Sequence, residues 1–164
     1  MNLILATCMI ALFAIMSCNN TSKNKNMTEN KTEETIFPKG PKATANFIGD
    51  AYVNILVPKT ENTTYAVGDV IFEPGCRNSW HTHQVRQILL VTQGKGWYQE
   101  KGKEAQALKK GDVVVIPANV EHWHGATRDD RFVHVVITDY QGDDCVVWLD
   151  PVTDEEYNKL PASF

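Results

Sequence analysis

The chain has no basic excess. Lys and Arg number 16 against 20 Asp and Glu, for a net charge of −4 and a pI near 5.7. That balance argues against nucleic acid as a partner. Cysteine is scarce. The four are Cys8, Cys18, Cys76 and Cys145, and neither Cys76 nor Cys145 sits in a CxxC or CxxH pattern. Helical signal is almost missing. There is no βαβ spacing and no apolar stripe of helical period, and only Asp154 to Leu160 looks helical. A long apolar run occurs once, at Met1–Ser17, and is shorter than the about 20 residues a membrane-spanning helix needs.

That run fits a secretory signal, although no Lys or Arg precedes it. It ends at Ile15-Met16-Ser17-Cys18, which resembles the lipobox of bacterial lipoproteins, with Met16 bulkier than is usual. The alternative is a plain cleaved signal. The expectation is therefore an exported protein, periplasmic or anchored to a membrane through lipid on Cys18. Residues 19–35 are polar and nearly free of apolar side chains, as suits a flexible linker. A folded domain over 36–150 and a short C-terminal extension over 151–164 complete the division. In an oxidising compartment Cys76 and Cys145 either pair or stay buried as thiols.

What is present after residue 36 is a succession of short β-patterned segments. Tyr52–Val57, Thr64–Phe72, Arg86–Thr92, Trp97–Glu100, Ala105–Leu108, Val113–Ile116, Glu121–Ala126, Arg131–Thr138 and Cys145–Leu149 all read as strands. Gln93–Gly96 reads as a turn that brings Trp97–Glu100 back on its predecessor. Strands separated by turns at this frequency predict an all-β sandwich or barrel, and closure into a barrel would remove exposed edges.

All five histidines lie between positions 81 and 134. His81 and His83 are two apart in a strand-like stretch, so both side chains should face one way. His122 and His124 repeat that spacing. Imidazoles gathered on one face are ligands for a first-row divalent metal. Trp80 and Trp123 fall out of phase with them and should point away. In Arg131–Thr138, alternation puts Phe132, His134, Val136 and Thr138 on one face; Val70, Phe72 and Thr138 are candidate pocket residues.

The first stretch reads Gly75, His81, His83, Gln87, Gly94, and the second Gly111, Pro117, Asn119, His122. In spacing and residue type these resemble the two motifs of the cupin superfamily over about Phe37 to Leu149. The resemblance implies a jelly-roll β-barrel, with His81, His83, Gln87 and His122 binding one divalent transition metal, manganese first, with Fe, Zn, Ni or Co as alternatives. Small cupins usually form dimers or tetramers, so a homodimer or homotetramer is expected. Two departures stand out. Asn119 replaces a glycine, which Asn can do because it tolerates left-handed backbone. Gln87 replaces the usual glutamate. A neutral ligand leaves the ion its full charge, which favours polarising a hydroxyl or carbonyl oxygen over supporting a trivalent state.

His124 and His134, two and twelve residues after His122, make the pattern similar to the cupin-type hydroxynitrile lyases, with relatives among carboxymuconolactone-decarboxylase-associated cupins. The implied activity is metal-dependent C–C lyase chemistry on a small hydroxy or carbonyl substrate, with His134 or His124 as general base near an ordinary pKa of about 6.5. The alternatives are a metal-dependent dioxygenase and a non-catalytic envelope protein that binds a small ligand or a metal.

Overall fold

The computed structural model describes residues 34–142 and 146–164. The signal run, the Cys18 lipobox, nearly all of the linker and Cys145 lie outside the described residues. Cys76 is a buried thiol.

In chain order the elements are β1 (Phe47–Ile48), β2 (Ala51–Val57), β3 (Tyr65–Phe72), β4 (Arg77–Asn78), β5 (His81–Thr82), β6 (Gln87–Glu100), β7 (Gln106–Lys109), β8 (Val113–Ile116), β9 (His122–Ala126), β10 (Phe132–Asp139), β11 (Val147–Trp148) and α1 (Asp154–Asn158). The long strand β6 is the spine. Its first half pairs with β8 on one side and β10 on the other, and β3 and β2 follow β10. Its second half pairs with β7 and β9, and β9 leads to β4 and β5. One strand thus serves two antiparallel sheets. Val70, Phe72, Leu89 and Val91 from the first sheet pack with Tyr98, Leu108 and Ala126 from the second in one core. This is a jelly-roll barrel, as the strand pattern and the motif resemblance implied.

The expected turn at Gln93–Gly96 is not there. The chain runs on through these residues as strand, so Trp97–Glu100 does not fold back on Arg86–Thr92 but enters the other sheet. Two glycines permit the bend. Gly94 has φ +71°, and a Cβ on it would lie 1.7 Å from the Arg131 carbonyl oxygen. A Cβ on Gly96 would lie 2.5 Å from both the Gly125 carbonyl and the Phe132 ring. The β10 register also shifts between Val133 and His134, leaving Thr92 unopposed, as a β-bulge does where a strand changes direction. Sequence reading saw the glycines and inferred reversal; here they mark close approach.

Trp80, Trp97 and Trp123 form a second cluster with Val152 and Tyr157, apart from the barrel core. The C-terminal segment covers this outer face. Thr153 caps α1 through a reciprocal bond with Glu156. The buried Arg77 donates to the Val152 carbonyl and the Asp154 carboxylate. The Tyr157 hydroxyl donates to the Ala126 carbonyl at 2.8 Å. Trp80 and Trp123 do face away from the histidines, as their phase required.

Candidate metal centre and its pocket

Antiparallel register sets His81 of β5 directly opposite His122 of β9. His83 follows just past the end of β5. Their ring centroids lie 4.1 Å (81–122), 5.2 Å (81–83) and 5.7 Å (83–122) apart, and one ring nitrogen from each lies within 4.8 Å of the others. Asn119, three residues before the start of β9 in a left-handed turn with φ +62°, does what glycine would do there. Its backbone N–H donates to the His83 carbonyl at 2.7 Å, tying the two motifs together.

Backbone carbonyls two residues upstream orient two of the rings. His81 Nδ1 lies 2.9 Å from Ser79 O, and His122 Nδ1 lies 2.8 Å from Val120 O. A carbonyl only accepts, so both protons sit on Nδ1 and both Nε2 lone pairs are left to coordinate. Gln87, the first residue of β6, brings its Oε1 to 3.3 Å from His122 Nε2. That contact sets one lone pair against another, an arrangement a cation resolves. Burial pushes the His122 pKa down to about 4 and that of His81 well below its ordinary value, His81 also feeling the nearby His122. Both are therefore neutral, the state a metal requires. The four side chains fit a divalent ion in charge, donor type and orientation.

Behind this group lie His124 and His134, their rings edge to face at 4.9 Å. His124 is bracketed by Asn78, whose Oδ1 accepts from the His124 backbone N–H at 2.9 Å. The Asn78 Nδ2, thereby turned to the ring, lies 3.2 Å from Nε2. Of the two faces that alternation defined in this strand, the one carrying His134 turns inside the barrel, and the ring lies between Phe72 and Phe132. It is fully buried and neither ring nitrogen has a hydrogen-bond partner. Burial pushes its pKa down to about 3, far from the ordinary value assumed from sequence.

A cavity of about 260 Å³ joins both groups. Val70, Phe72 and Thr138 line it, as expected, and so do Phe47, Asn78 and Trp148, which sequence reading missed. Trp148 arrives on β11, which pairs with β5 so that Trp148 lies opposite His81, with 4.8 Å between the rings. No spacing rule links Asn78 or Trp148 to a metal motif. Only their proximity to His124 and His81 does.

Comparison with known proteins agrees with this geometry. The cupin domain pattern matches residues 68–138. The chain is 36% identical over 113 residues to an (R)-mandelonitrile lyase of Granulicella tundricola, spanning 69% of this chain and 86% of that one. A crystal structure of a cupin-like protein from Thermotoga maritima is 49% identical, with a TM-score of 0.73 over 77% of this chain and 96% of that one. A DMSP lyase from Ruegeria pomeroyi, at 19% identity, shares the fold alone, with a TM-score of 0.54 over 62% of this chain and 53% of that one. With its two histidine motifs meeting inside such a barrel, the chain belongs to the cupin superfamily.

Proposed function

We propose that this protein is a metal-dependent carbon–carbon lyase that cleaves a small cyanohydrin to an aldehyde and hydrogen cyanide, and forms it in reverse. One observation carries the reading. A three-histidine, one-glutamine donor set opens on a mostly apolar cavity in which the buried His134 has no hydrogen-bond partner. The 36% identity to a protein named (R)-mandelonitrile lyase supports it.

A divalent ion, manganese first, held by His81, His83, Gln87 and His122 would supply Lewis acidity to the substrate hydroxyl. The rest falls to side chains. His134, neutral because it is buried, accepts the hydroxyl proton. The O–H pair becomes the second bond of the carbonyl. The C–CN bond breaks with its electrons on cyanide, and cyanide takes the proton from His134 to leave as HCN. With so low a pKa His134 is a weak base, so this transfer depends on a hydroxyl already acidified. His124, held by Asn78, packs against His134 and fixes its ring. Phe47, Phe72 and Trp148 offer an apolar wall to the carbon skeleton and exclude water. The exported location and a homodimeric or homotetrameric assembly remain part of this proposal.

The test is aldehyde release from mandelonitrile by the manganese-loaded protein, followed by absorbance. His134→Gln should lower kcat by about 100-fold or more, the range for losing a positioned general base. No release above the metal-free blank, or an unchanged rate in His134→Gln, overturns the proposal.

A further inference from the structure

We infer that Thr138 is a positioning residue of the metal centre, because its hydroxyl decides which end of the Gln87 amide faces the histidines. The inference rests on the metal-binding reading above. Gln87 and Thr138 stand directly opposite each other on β6 and β10, and both are buried. Gln87 Nε2 donates to Thr138 Oγ1 at 3.2 Å, and the other end of the amide, Oε1, then meets His122 Nε2 at 3.3 Å. The His122 Nδ1–H donates to Val120 O, so Nε2 there carries only a lone pair.

Two orientations of the amide compete. With no cation, a half-turn is favourable: Nε2 donates to His122, and the Thr138 hydroxyl donates to Oε1. With a cation, only the orientation seen here offers oxygen to the ion. The N–H end must then find an acceptor in a buried place, and Thr138 Oγ1 is the acceptor in reach. A hydroxyl can donate or accept, so threonine serves both orientations. Valine has the same shape and serves neither. In the metal-bound orientation it would leave a buried N–H unpaired, which is costlier than an under-used carbonyl oxygen. Without the hydroxyl, the amide is therefore biased towards closing on His122, against the ion.

Affinity for Mn²⁺ is measured by competition with a fluorescent chelator on the full chain, wild type and variants, alongside metal-free melting curves. Thr138→Val should bind about tenfold more weakly, the lower range for losing a partner of a metal ligand. Thr138→Ser, which restores the hydroxyl, should bind within about twofold of wild type. Equal binding by wild type and Thr138→Val overturns the role of Thr138 and leaves the metal centre standing. So does a Thr138→Ser variant as weak as the valine one. A wild-type protein that does not bind Mn²⁺ overturns the metal reading and this inference together.

Discussion

Asp69 should cost this barrel stability at neutral pH that it does not cost in mild acid, and Asp69→Asn should remove that cost. The residue sits in β3, opposite Asn54 of β2 and Val135 of β10. It is 2% exposed, and its Oδ2 has no hydrogen-bond partner. Burial raises its pKa from 3.8 to about 6. The folded protein therefore binds this proton more tightly than the unfolded chain. Above the folded pKa both states carry the charge, and the native state bears the whole cost of holding it. That cost fades as pH falls from the folded towards the unfolded value. Two units correspond to about 3 kcal/mol at most. Relaxation of the surrounding groups, which gives a protein interior an effective dielectric well above that of dry protein, lowers this to about 1–2 kcal/mol. Urea unfolding of wild type and Asp69→Asn at about pH 4.5 and about pH 7.5 isolates the effect, because other titrating groups cancel between the two proteins. The asparagine variant should gain about 1–2 kcal/mol on wild type at the higher pH and little at the lower. A stability difference that does not change with pH would show that Asp69 keeps an ordinary pKa in the fold.

Other outcomes follow from the packing. Gly96→Ala should cost about 3 kcal/mol or more, because its Cβ would meet the Gly125 carbonyl and the Phe132 ring at 2.5 Å; a melting temperature within a few degrees of wild type would mean that β6 can move aside. Tyr157→Phe should lose about 1 kcal/mol, the worth of a hydrogen bond to Ala126 O, with metal content unchanged. If metal content falls as well, the outer aromatic layer and the metal centre are coupled. Trp148→Ala removes a ring that lies 4.8 Å from His81 and 6.2 Å from Phe47. Under the proposed activity it should raise kcat/KM for bulkier aryl cyanohydrins relative to mandelonitrile, and an unchanged ratio would take Trp148 out of the selecting wall.

Much of this molecule was legible along the chain. β-branched content marked Val113–Ile116 residue for residue, and alternation put His134 on one face with Phe132 and turned Trp80 and Trp123 outward. The motif spacing brought His81, His83 and His122 together, and Asn119 adopted the left-handed turn its type allows. These are local properties, set by a strand's period of two and by the steric freedom of single residues. Other features depended on partners far away in sequence. Gly94 and Gly96 look like a turn until Arg131 and Phe132 are seen pressing on them. Asn78 holds a histidine 46 positions away, and Gln87 is held by a threonine 51 positions away. The acidity of His134 likewise follows from the closure of the barrel around it, since the cost of charging an imidazole depends on what replaces water at its surface. Residue type and spacing were enough to gather His81, His83 and His122. Register and burial between distant strands decided how their rings are oriented, which side chains lose contact with water and what lines the cavity beside them.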